Sequence, residues 1–184
     1  MRLRVPRIPP LPESEWSDEI RELLPKGAEP HAGKPLNIFT TLARHPKLFK
    51  RWQVFGSHVL GKSTLPPRER EIVILRTGWL CNSHYEFHQH TRIGLACGLS
   101  DDEIRKLTRS ADDWTGKDAV LVRAADELHA DQMISDATWQ ALRESWNEQQ
   151  LIDLLFAIGQ YTLVSMVLNT LGVQTEDGSE GFPT

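Results

Sequence analysis

The chain has 184 residues, a net charge of −4, 40% hydrophobic and 25% charged residues, and two cysteines. That length supports one domain with its own core, and the slight acidic balance excludes a general attraction to nucleic acid or an anionic membrane. Cys81 and Cys97 give no disulfide framework and the N-terminus lacks the apolar core of a signal peptide, so the expected compartment is the reducing cytoplasm.

The N-terminal arm, residues 1–14, sets Arg2, Arg4 and Arg7 among Pro6, Pro9, Pro10 and Pro12, and reads as an extended segment packed on the body or on a partner subunit. Residues 15–24 read as a short amphipathic helix ended by Pro25, and Gly27 to Pro35 as a loop. Helices follow over 36–44 and 46–60, with Pro46 at a first-turn position. Ser63 or Thr64, ahead of Pro66 and Pro67, opens a helix to about Leu80 with Ile72, Val73, Leu75, Trp79 and Leu80 inward. Asn82 or Ser83 can cap the next helix, which runs to Cys97 and stops at Gly98. Ser100 to Glu103 is a capping box that starts another. Segments 117–131, 135–146 and 148–171 complete an all-α architecture of seven or eight helices in a single domain spanning 1–184.

The stretch Leu151–Leu171 is apolar over more than one stripe but is broken by Asp153, Gln160, Ser165 and Asn169. It reads as a buried bundle helix and not a membrane span, and its excess apolar surface calls for cover from another subunit. The polar tail, 174–184, is expected to be mobile unless a neighbour holds it.

Residues 81–90, Cys-Asn-Ser-His-Tyr-Glu-Phe-His-Gln-His, gather three of the seven histidines. On a helix His84 and His88 share one face and Glu86 and His90 another, each pair about one turn (~5.4 Å) apart. Four readings fit. The side chains are surface or satisfied core groups with an ordinary Glu86–His90 pair. Or His84 and His88 ligate a metal, with no full zinc-protease pattern and no clear third ligand. Or Cys81, at a helix N-terminus that lowers a thiol pKa, does redox chemistry. In that case Cys97 is no partner, since a straight helix would hold the two thiols ~24 Å apart. Or Glu71, Glu86 and His90 perform metal-free acid–base catalysis, burial raising the carboxyl pKa and a carboxylate raising that of the imidazole.

Leu65-Pro-Pro-Arg-Glu-Arg-Glu-Ile-Val-Ile-Leu, Tyr85-Glu-x-x-x-His90 and Gly94-Leu-Ala-x-x-Gly98-Leu-Ser-x-x-Glu103 together resemble the carboxymuconolactone decarboxylase family, which also holds the alkylhydroperoxidase D proteins. The resemblance is close over about 60–108, the motif core. In the peroxidase branch a glutamate is followed at twelve residues by Cys-x-x-Cys, then by a histidine four after the second cysteine. Counted from Glu71, those positions hold Ser83, Glu86 and His90, so the proton-relay pair is kept and the redox couple is lost. Cys81 lies two residues too early to replace either thiol.

The resemblance implies an alkylhydroperoxidase D-like helical bundle assembled as trimers or hexamers. It also implies cofactor-free proton transfer on a small carboxylated lactone or unsaturated organic acid. His90 would deliver a proton, Glu71 or Glu86 would orient and charge it, and Ser83, His84 and Tyr85 would contact substrate. A peroxidase-related protein using Cys81, or a non-enzymatic or metal-binding oligomer with a structural Glu/His cluster, are the alternatives.

Overall fold

A computed structural model describes residues 3–24, 34–176, 178, 179 and 182. Among them are nine α-helices and no strand: α1 (Asp18–Leu23), α2 (Asn37–Leu42), α3 (Pro46–Gly61), α4 (Pro67–Leu80), α5 (His84–Ala96), α6 (Asp101–Lys106), α7 (Gly116–Asp131), α8 (Asp136–Arg143) and α9 (Glu148–Leu171). Each answers to one of the segments read from the sequence, whose number is nine and not the seven or eight expected. The expected stop at Pro25 and most of the loop from Gly27 to Pro35 lie outside the described residues.

Helix boundaries follow local chemistry. Pro46 sits in the first turn of α3, where a missing N–H costs nothing. Ser100 with Glu103, and Asn147 with Gln150, form reciprocal capping boxes on α6 and α9. Gly172 ends α9 in a left-handed conformation at φ 72°.

Helix α4 is the axis of the molecule, packed against α5, α7 and α9. Ten of its fourteen residues are buried, and four of those ten are charged: Glu69, Arg70, Glu71 and Arg76. A buried charge must be paired, and each one is. Glu69 accepts from Lys117 Nζ at 2.7 Å, and Arg70 Nε lies 3.2 Å from Glu71. Arg76 grips Asp126 at 2.6 and 2.8 Å and donates to the carbonyls of Leu107 and Arg109.

The link from α4 to α5 is three residues long. Cys81 caps the C-terminal end of α4, Asn82 turns the chain at φ 51°, and the Ser83 N–H closes on the Gly78 carbonyl at 2.7 Å. Ser83 occupies the cap position of α5, but its side chain makes no capping bond, contrary to expectation. At the far end of α5, Gly94 lets the two helices touch. A Cβ there would sit 3.1 Å from Leu99 and 3.2 Å from Leu75.

Leu151, Leu154, Ala157, Ile158 and Tyr161 of α9 are buried in the main core. By length and composition alone α9 could cross a membrane, yet half of its most apolar window is buried inside the protein. Ile152, Phe156, Leu163 and Met166 remain exposed along its other side.

Both terminal segments lie on the body of their own chain. The Arg7 N–H donates to the Leu171 carbonyl at 2.8 Å and the Leu11 N–H to the Thr40 carbonyl at 3.1 Å, with Leu11 buried. The tail, expected to be mobile unless a neighbour held it, is held by its own α2 and α5: Glu176 bonds Asn37 and Tyr85, and Phe182 packs edge-on against Phe87 at 5.1 Å.

Gly94→Val should overpack the α4–α5 contact and destabilise by about 1–3 kcal/mol, read as a lower Tm. An unchanged Tm would show that the two helices are not held at that closeness.

Candidate active site

The α4–α5 hairpin brings Glu71 and His90 together across nineteen residues of sequence. Glu71 is 0% exposed, Glu86 4% and His90 5%. His90 Nδ1 lies 2.7 Å from Glu71 Oε2, and Glu71 Oε1 accepts from Arg70 at 3.2 Å. A carboxylate only accepts, so Nδ1 carries the proton and Nε2 is the nitrogen left to titrate. Nε2 faces Glu86 Oε2 at 3.5 Å. The Tyr161 ring meets the imidazole edge to face at 4.7 Å.

Burial pushes the Glu86 carboxyl up to about 7, with His90 opposing and Glu71 adding to the rise. Burial alone would lower the His90 value. The Glu71 carboxylate, through its charge and hydrogen bond and with Glu86 behind it, outweighs burial, and the imidazole ends above its ordinary value. Glu86 and His90 therefore both titrate above their ordinary values, side by side at the cavity wall.

These groups open onto a cavity of about 680 Å³. Glu86, His90, Gln160 and Tyr161 form its polar wall, while Leu36, Phe39, Trp52 and Ile93 are among its apolar lining. Glu71 and Arg70 are not among the lining residues. They stand behind His90 and position it.

The remaining expected residues divide. Tyr85 lines the cavity. Ser83 is fully buried and does not line it, and the Ser83 hydroxyl lacks a hydrogen-bond partner. His84 lines a second cavity of about 400 Å³ beneath the N-terminal arm, its ring 4.1 Å from Phe182. His88 Nδ1 lies 3.0 Å from the Ser179 hydroxyl. Among the described residues, no group of three or more His, Cys, Asp or Glu side chains is placed to share a metal ion.

Cys81 corrects an expectation. It lies at the C-terminal end of α4 and not at a helix N-terminus, its Sγ 3.8 Å from His129 Nδ1, and burial pushes its thiol up. It does not line the cavity.

Sequence reasoning missed Arg70, Gln89, Gln160 and Tyr161. Gln160 was visible only as a polar break in the apolar α9, and no local signal marked Arg70, Gln89 or Tyr161.

Residues 46–130 match the carboxymuconolactone decarboxylase family. Over this segment the chain is similar to that family. No functionally curated protein matches it in sequence. Solved structures share the fold. An uncharacterized peroxidase-related protein from Ralstonia eutropha JMP134, described as an alkylhydroperoxidase AhpD core, is 21% identical over 92% of this chain and 93% of its own, with TM-score 0.79. An uncharacterized peroxidase-related protein from Silicibacter sp. TM1040 is 16% identical over 99% and 95%, with TM-score 0.77. The debrominase Bmp8, in complex with 2,3,4-tribromopyrrole, is 12% identical over 97% and 95%, also with TM-score 0.77.

These raised values have a sign that thermal denaturation can read. From the ordinary carboxyl value of 4.5 up to about 7, the folded chain keeps a proton on Glu86 that the unfolded chain has released, so stability declines as pH rises. His90 acts in the same direction: its contribution is full below 6.5 and is lost as pH rises through its raised folded value. Tm should fall between about pH 5 and pH 8, by an amount worth on the order of 3 kcal/mol. Glu86→Gln should flatten most of that slope; a profile as steep as the parent's would refute the raised carboxyl.

Proposed function

We propose that the protein is a cofactor-free acid–base enzyme of the carboxymuconolactone decarboxylase type, acting on a small carboxylated lactone or unsaturated organic acid. The observation that carries this reading is the division of His90. One nitrogen is fixed by the buried Glu71, and the other faces the Glu86 carboxyl across 3.5 Å at the cavity wall.

In a decarboxylation the carbon–carboxylate bond breaks, CO2 leaves, and the electron pair stays on the organic fragment as a dienolate-like carbanion. Apolar walls strengthen the attraction between that charge and a protonated His90. The carbanion then takes a proton from the His90–Glu86 pair, which recovers one from solvent. Glu71 keeps the ring oriented and favours its charged form.

A thiol peroxidase reading would need a reactive sulfur in the cavity. Ser83 and Glu86 stand where the redox cysteines would be expected, and neither thiol of the chain, Cys81 nor Cys97, lines the cavity, burial raising both. That arrangement favours proton transfer over peroxide reduction.

We also propose that the protein is a homo-oligomer covered along α9. Ile152, Phe156, Leu163 and Met166 are 48–58% exposed and recur at helical spacing, and Phe55 meets Phe156 edge to face at 6.0 Å. A second copy of this chain offers the same apolar stripe.

A screen of carboxylated lactones and unsaturated acids for CO2 release should find turnover that His90→Gln and Glu71→Gln each reduce by at least about 10²-fold with the fold intact. Cys81→Ser should retain it. Full activity in both relay variants, or loss in the cysteine variant, would overturn the assignment. Light scattering should give a trimer or hexamer that Phe156→Glu with Met166→Glu converts to smaller species; a monomeric parent would remove the oligomer proposal.

A further inference from the structure

Two pairs of side chains run side by side along α5. Glu86 with His90 forms the first pair, 3.5 Å apart. One residue earlier, Tyr85 with Gln89 forms a second pair, rotated by roughly 100° about the helix. All four residues line the same cavity.

The second pair holds a carboxylate. Glu176 Oε1 accepts from Tyr85 Oη at 2.7 Å and from the Asn37 N–H at 2.7 Å, and Glu176 Oε2 accepts from Gln89 Nε2 at 2.5 Å. Tyr85 Oη itself accepts from the Ile38 N–H at 3.2 Å, which orients the phenol proton toward the carboxylate. Burial, then the Glu176 charge, push the phenol well above its ordinary value, so it remains a donor. Capping of α2 would account for the Asn37 contact alone. It does not account for two side-chain donors from the cavity wall converging on the same group.

Among the described residues, none of the three donors to Glu176 is a cation. A carboxylate held by neutral donors and carried on a chain segment can be exchanged for another of the same shape, because the incoming group recovers the same hydrogen bonds. The apolar lining beside these donors (Leu36, Ile38 and Phe39) suits the hydrocarbon part of such a ligand.

We propose that Tyr85, Gln89 and the Asn37 N–H form a carboxylate-binding subsite of the cavity, occupied here by the protein's own Glu176 and taken over by an organic acid when one binds. The bound acid would extend from this pair onto the neighbouring face of α5, where Glu86 and His90 lie. Calling the acid a substrate rests on the proton-transfer reading; the subsite itself does not.

Benzoate is the probe, titrated calorimetrically at neutral pH. A tethered carboxylate competes at an effective concentration on the order of mM. Glu176→Ala should therefore bind benzoate about tenfold tighter than the parent, and Glu176→Gln should also gain. Adding Tyr85→Phe or Gln89→Ala to Glu176→Ala should remove the gain, and benzamide, which lacks the charge, should show none. Circular dichroism and Tm establish that each variant is folded. Unchanged affinity in Glu176→Ala, a gain that survives both donor variants, an equal gain for benzamide, or no benzoate binding at all would each overturn the proposal. Calorimetry reads no turnover, so failure of the assigned reaction and failure of this subsite are separate results.

Discussion

The structure depends on one buried carboxylate. Glu71 has no access to water, and an ionised group in that position costs several kcal/mol unless its partners surround it. Arg70 from its own helix and His90 from the next supply those partners. The requirement fixes how α5 lies on α4, since a shift of one residue would turn His90 away and leave the charge alone. The short Cys81–Ser83 link and the bare Cα of Gly94 serve the same fit from either end. The chemistry at the cavity wall is therefore a by-product of a packing problem that the fold had to solve.

Much of the helical plan was legible. The capping box at Ser100 and the proline at 46 act within a few residues, and local signals of that kind survive in a one-dimensional reading. The acid–base pair was legible only by counting from Glu71 against a family pattern, because nothing local says that Glu71 faces inward. The Arg-Glu-Arg-Glu run looks solvated, and its burial is visible only once Lys117, Asp126 and His90 arrive from other helices. The Cys81 expectation failed for a specific reason. The helix break fell where expected, between Leu80 and Ser83, but burial raises the thiol where the nearby helix N-terminus was expected to lower it. The docking of Glu176 on Tyr85 spans ninety-one positions and has no sequence signature.

The same fold carries proteins described as peroxidase-related and one that is a debrominase. Function within such a group is set by what stands around the cavity, and here two positions separate the possibilities. Where a pair of thiols would move electrons, this chain has a buried hydroxyl at Ser83 and a carboxyl at Glu86. The carboxyl sets a second titrating group against His90, 3.5 Å from its Nε2.

Gly172 has a consequence outside the site. Its left-handed backbone lies under the N-terminal arm, where a Cβ would fall 3.0 Å from Leu3 and 3.2 Å from Pro6. The first and last described segments of the chain thus meet over a position with no room for a side chain. Evolutionary change there is blocked by the seat of the arm. Invariance of this glycine among homologues would record how the two ends of the chain are fastened together, and would carry no information about the reaction.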